Sequence, residues 1–139
     1  MFQRILVPVD LTDRHGPALE IAARVAKESA GEVVMLHVIE LVQGIPREED
    51  PPFYRRLESK AKEYVDKLVD SLRSKKVKAR SEILFGNRVV EITSFARELG
   101  TDLIVLASHR FDPARPTAGW GSLSHQVGVL ASCPVLLVK

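Results

Sequence analysis

The sequence predicts an α/β fold: an open, doubly wound, five-stranded parallel sheet in the order 3-2-1-4-5, with helices on both faces. Three observations carry this. Short apolar runs bounded by charge, such as Ile5-Leu6-Val7-Pro8-Val9 and Leu103-Ile104-Val105-Leu106-Ala107, read as strands buried on both faces. Segments of helical periodicity separate the runs, and helical crossovers join parallel strands. The alternation β-α-β-α-β-α-β-α-β holds from end to end. Two crossovers in one direction followed by a reversal give this Rossmann-like order, with the switch between strands 1 and 4. A chain of 139 residues is enough for one domain, 1–139, and too short for two ordinary ones.

The elements follow in order. Pro8 cannot donate a ladder hydrogen bond, so it belongs near the end of the first strand, with Asp10 at the carboxyl tip. Leu11 to Gly16 read as a polar turn. From Pro17, Leu19, Ala22, Ala23 and Ala26 share a helical face, and Gly31 reads as the C-cap. Val33 to Ile39 form the second strand, broken only by His37, which reads as a core or strand-end histidine. Residues 44–52 carry three acids and three prolines and read as a mobile loop.

Leu57, Ala61, Tyr64, Val65, Leu68 and Leu72 then line one face of a long amphipathic helix. Lys78 to Phe85 are more polar, as an edge strand is. Gly86 ends that strand, and Asn87 is an N-cap for a helix carrying Val89, Ile92, Phe95, Ala96 and Leu99, stopped at Gly100. After the strand of residues 103–107 comes a loop, then a helix from Ser122 with Leu123, Val127 and Leu130. The last strand is Pro134-Val135-Leu136-Leu137-Val138.

Composition narrows the function. Net charge is only +2, so no overall basic field argues for nucleic acid. No segment approaches the ~20 consecutive apolar residues of a membrane span, and the N-terminus lacks a signal-peptide run, so a cytoplasmic location is expected. The single cysteine, Cys133, excludes an internal disulfide and reads as a core thiol.

The stretch from Asp102 to Ser122 organises the rest. A strand ends in Ser108-His109-Arg110, and a loop returns to Gly121-Ser122, where the last helix begins. A helix N-terminus carries unpaired N–H groups and about half a positive charge, and a glycine there lets an anion approach the backbone. Ligands of such sheets sit beyond the carboxyl ends at the switch point. The tips at Asp10 and at Ala107-Ser108-His109 flank that crevice. Asp10 can accept from a ribose or a base amine, while His109, Arg110 and the Gly121-Ser122 backbone can hold phosphate oxygens.

Taken together and in this order, Ile5-Leu6-Val7-Pro8-Val9-Asp10, Leu36-His37-Val38, Gly86 with its helix, Asp102-Leu103-Ile104-Val105, Ser108-His109, Gly121-Ser122 and Cys133-Pro134-Val135-Leu136-Leu137-Val138 make the chain resemble the universal stress protein family over its whole length. The resemblance implies a domain that dimerises through its last strand and binds ATP, with Mg2+ or Mn2+ as companion ion, without rapid chemistry. It puts the nucleotide contacts on Pro8, Val9, Asp10, Val38, Ala107, His109, Arg110, Gly121, Ser122 and Leu123. The chain departs from the family's loop of G-x-x-G, nine residues, then G-S or G-T. Ala107 and Arg110 stand at the two early glycines, and ten residues separate Arg110 from Gly121. The alternative is a dimeric interaction module of the same fold that binds no nucleotide.

An enzyme is not expected. There is no G-x-S-x-G elbow, no phosphate-binding G-x-x-x-x-G-K-[ST] loop, and no G-x-G-x-x-G after the first strand.

Overall fold

The computed structural model describes residues 1–108, 112–117 and 121–139. The strands are β1 (Arg4–Pro8), β2 (Glu32–Ile39), β3 (Lys78–Phe85), β4 (Leu103–Ala107) and β5 (Val135–Val138). The helices are α1 (Gly16–Ser29), α2 (Pro51–Ser74), α3 (Arg88–Leu99) and α4 (Leu123–Leu130), with one 3-10 turn at Asp13–His15. All strand pairs are parallel, in the order β3-β2-β1-β4-β5. β1 lies at the centre, where Leu6 stands opposite Val34 on one side and Ile104 on the other.

Because side chains alternate across a strand, β1 feeds two cores. Ile5 and Val7 join Val33, Met35 and Val105 under α1 and α2, while Leu6 joins Val34, Leu36 and Ile104 under α3 and α4. The face of α1 against the sheet is almost all alanine: Ala18, Ala22, Ala23 and Ala26 are buried. Such small side chains let the helix lie close to the sheet. Asp102, just before β4, accepts from the backbone N–H groups of Gln3 and Arg4 at 2.9 and 3.2 Å, which staples the start of β1 to the start of β4.

Several local expectations change. Gly31 is not the C-cap of α1. Ala30 takes the left-handed conformation (φ 54°), and the Gly31 N–H bonds back to the Ala26 carbonyl at 2.8 Å. Gly31 is required for a different reason: a Cβ there would stand 2.5 Å from the Phe2 carbonyl oxygen. The loop expected over residues 44–52 ends at Asp50. Pro51 and Pro52 form the first turn of α2, where a missing N–H costs nothing, and the Asp50 side chain caps it by accepting from the Phe53 N–H at 3.1 Å. The rest of the loop is tied down by Tyr54, which is 1% exposed. Its hydroxyl accepts from the Val42 N–H at 2.9 Å and donates to the Ile45 carbonyl.

Other expectations hold. Pro8 is the last residue of β1, and Asn87 caps α3 through the Val90 N–H at 3.1 Å. Gly100 ends α3 with φ 73°. Cys133 packs half-buried against the α3–α4 core, and burial, with the nearby Asp102, raises its thiol pKa. No helix among the described residues is long and apolar enough to cross a membrane.

Candidate functional site

The carboxyl tips of β1, β2 and β4 open into a cavity of about 220 Å³, closed on one side by the starts of α3 and α4 and on another by the β1–α1 turn. This is the switch point of the sheet. Of the residues the sequence singles out, Pro8, Val9, Asp10, Val38, Ala107, Ser122 and Leu123 line the cavity. Gly121 is not in its wall but stands one residue before it, exposed and at φ 81°. His109 and Arg110 lie outside the described residues.

The β1–α1 turn is built around the Asp10 carboxylate. Thr12 donates to Oδ1 with its backbone N–H (2.9 Å) and with its hydroxyl. Nε2 of the buried His15 lies 2.8 Å from the same oxygen and 3.0 Å from the Asp10 backbone N–H. The Arg14 guanidinium holds Oδ2 at 2.9 Å. From α2, the Tyr64 hydroxyl donates to the Thr12 carbonyl at 2.6 Å and fixes the turn from outside. Asp10 is thus a turn-former whose carboxylate the chain itself already occupies, as short polar side chains at turns commonly are.

Burial alone would raise its pKa, but the hydrogen bonds from Thr12 and His15 outweigh it and hold the carboxyl well below the usual range. The sign follows from linkage. A depressed folded-state pKa contributes stability above the ordinary value of 3.8 that is lost as pH falls below it. Asp10→Asn is therefore expected to be less stable than the parent at pH 7, with the gap closing below about pH 4. Urea unfolding at pH 7, 5 and 3 checks this, and a gap independent of pH would contradict it.

The β2 side contributes His37 and Val38. His37 Nδ1 lies 2.9 Å from the Val9 carbonyl oxygen, which can only accept, so Nδ1 carries the proton. At the start of α3, Arg88 lines the cavity and pairs with Glu40 at 3.0 Å. The β4–α4 side is a cluster of hydroxyls. Ser122 caps α4, accepting from the His125 N–H at 3.3 Å, and its hydroxyl lies 3.2 Å from that of the buried Ser124. Ser124 in turn lies 3.3 Å from the Ser108 hydroxyl. The first N–H groups of α4 have no intrahelical acceptor, so this wall offers hydroxyls, N–H groups without a helical partner and the positive end of a helix dipole.

Sequence reasoning did not single out Arg14, His15, His37, Arg88 or Ser124 for the site. The available signal was position. Polar residues at a strand's carboxyl tip, in the turn after it or in the first turn of the next helix share the edge where ligands bind. Among the described residues, no group of three or more His, Cys, Asp or Glu is placed to hold a metal ion.

Comparison with known proteins agrees with the fold. A family model described as the universal stress protein family matches residues 1–139. Universal stress protein YxiE of Bacillus subtilis is 28% identical over 149 residues, covering all of both chains. The solved structure of MJ0577, named a universal stress protein in Methanocaldococcus jannaschii, superposes with a TM-score of 0.82 at 27% identity, over 100% of this chain and 96% of that one. A universal stress protein of Archaeoglobus fulgidus, solved in complex with dAMP, shares the fold at a TM-score of 0.74 and 23% identity, over 99% and 98% of the two chains. With the sheet order, the switch-point cavity and a whole-chain match in agreement, the chain belongs to the universal stress protein family.

Proposed function

We propose that this protein is a cytoplasmic, homodimeric nucleotide-binding protein of stress response or signalling, which holds ATP in the switch-point cavity and does no rapid chemistry on it. The observation that carries the reading is the pairing of a cavity at the β1–β4 switch with the N-terminus of α4, whose Ser122 forms part of its wall. The base and ribose lie toward Pro8, Val9, Asp10 and Val38. The phosphates lie toward Ala107, His109, Arg110, Gly121, Ser122 and Leu123. The cavity volume falls just below the ~300–1,000 Å³ usual for whole ligands, so the phosphate tail extends over the rim. The described residues offer no resident metal site, so Mg2+ or Mn2+ would ride on the phosphates.

The family relative solved with dAMP supports a nucleotide as the ligand class. One observation favours the alternative, an interaction module without nucleotide: the Asp10 carboxylate is already filled by Thr12, His15 and Arg14. Calorimetric titration of the purified chain with ATP, beside mass spectrometry of any ligand it retains, separates the two. Saturable ATP binding supports the first. No binding, with dimer intact, supports the second.

The dimer reading rests on β5. It is an edge strand, with Leu136 and Leu137 39% and 38% exposed on its two faces, and the preceding α4 leaves Val129 and Leu130 68% and 58% exposed. Pairing two copies about a twofold axis covers this edge. Leu137→Lys is expected to give monomer or aggregate by light scattering, and an unchanged dimer mass would rule the interface out.

A further inference from the structure

Resting on the nucleotide reading, we propose that Arg14 makes this cavity select nucleotides over nucleosides, by leaving the Asp10 carboxylate for a ligand phosphate as the ligand enters. The two oxygens of Asp10 are in different situations. Oδ1 is full, with the Thr12 N–H, the Thr12 hydroxyl and His15 Nε2 around it. Oδ2 has one side-chain partner among the described residues, Arg14 at 2.9 Å. Thr12 and His15 are parts of the turn and cannot leave without undoing it; His15 is 6% exposed. The Arg14 side chain is 59% exposed, and an ion pair that open to water is weak and easily exchanged.

Arg14 also stands where a phosphate would meet it. It lines the switch-point cavity and a second one beside it, whose wall includes Ala107 and Ser108 at the β4 tip. Arg14 thus shares one cavity wall with Asp10 and another with Ser108, and the guanidinium fork matches phosphate oxygens two at a time.

The exchange keeps charges paired for one class of ligand only. A nucleotide brings an anion that takes Arg14, and the freed Oδ2 then accepts from a ligand hydroxyl or amine. A nucleoside brings the hydroxyl and the amine but nothing to hold Arg14. It must either break the ion pair without replacement or leave its own donor without this acceptor. Selectivity built this way comes from the cost imposed on the wrong ligand as well as from the contact made to the right one.

Arg14→Gln should consequently move two affinities in opposite directions. Loss of a charge-assisted contact weakens ATP and AMP by roughly tenfold, while an unguarded Oδ2 strengthens adenosine by roughly tenfold. Titrations of ATP, AMP and adenosine into the full chain, into Arg14→Gln and into Arg14→Lys test this. The expected result is a preference for AMP over adenosine in the parent, lost in Arg14→Gln and partly restored in Arg14→Lys, which keeps the charge but not the fork. If the parent binds ATP but both ligands shift together in Arg14→Gln, or neither shifts, the exchange is wrong and the nucleotide reading stands. If the parent binds none of the three, both fall. The substitution is at an exposed side chain, and matched melting temperatures confirm that folding is not what changed.

Discussion

Gly121→Asp is expected to abolish ATP binding, by more than ~100-fold, while Gly121→Asn keeps most of it. Two effects must be separated for this to mean anything. Gly121 has φ 81°, a conformation that costs an ordinary residue ~1–2 kcal/mol and costs Asn and Asp least. A Cβ there meets nothing within 4 Å, so space is not the obstacle. Both variants therefore carry a similar backbone cost and differ only in charge. A carboxylate ahead of the α4 N-terminus interacts favourably with the helix dipole, by ~0.3–1 kcal/mol, so the Asp variant should melt no lower than the Asn variant. The same carboxylate beside a triphosphate is a like-charge contact, worth several kcal/mol against binding. Calorimetry with ATP on both variants decides the matter. Equal affinities would remove the phosphates from the start of α4.

The largest stability effect is expected at Tyr54. Its ring is buried, edge-on to Phe53 and Phe85 at centroid distances of 5.0 and 6.1 Å, and its hydroxyl bridges two backbone groups of the loop after β2. Tyr54→Phe leaves the Val42 N–H and the Ile45 carbonyl without their partner, which costs ~1–3 kcal/mol if they stay buried. Tyr54→Ala removes the ring as well and should cost ~3–5 kcal/mol, in the range of other buried aromatic truncations. Urea unfolding of the three proteins checks the order. A Tyr54→Phe variant as stable as the parent would mean that water satisfies the loop as well as the phenol does.

The architecture was legible because it is written in periodicity. A sheet buried on both faces must be apolar in every residue of its central strands, and β1, β2 and β4 are nearly so. Caps with a side-chain signature, Asn87 and Ser122, were legible for the same local reason. The start of α2 was not, because Asp50-Pro51-Pro52 has the composition of a loop and the geometry of a capped first turn. Only the burial of Tyr54 two residues on separates the two.

The site was legible in outline alone. Strand tips follow from topology, so Asp10 and Ala107 could be placed, while Val38 came only from the family resemblance. What surrounds Asp10 depends on how five polar residues fold back on one another, and the Arg88–Glu40 pair joins positions 48 apart. Neither relation leaves a period in the sequence.

The central place of β1 sets a schedule for making this protein. Its first neighbour, β2, follows at once, but its second neighbour is β4, and the contact from Arg4 to Asp102 spans 98 positions. Pairings that distant are slow to close. On a ribosome the delay is imposed from outside. At synthesis rates of ~5–20 residues per second, roughly 3–13 s separate the end of β2 from the arrival of β4. During that interval β1 can pair on one side only, and Ile5, Leu6 and Val7 sit on an open strand edge of the kind that recruits other chains. The nascent first half is thus the form of this protein most in need of a chaperone, and its hazard ends when residues 103–107 emerge.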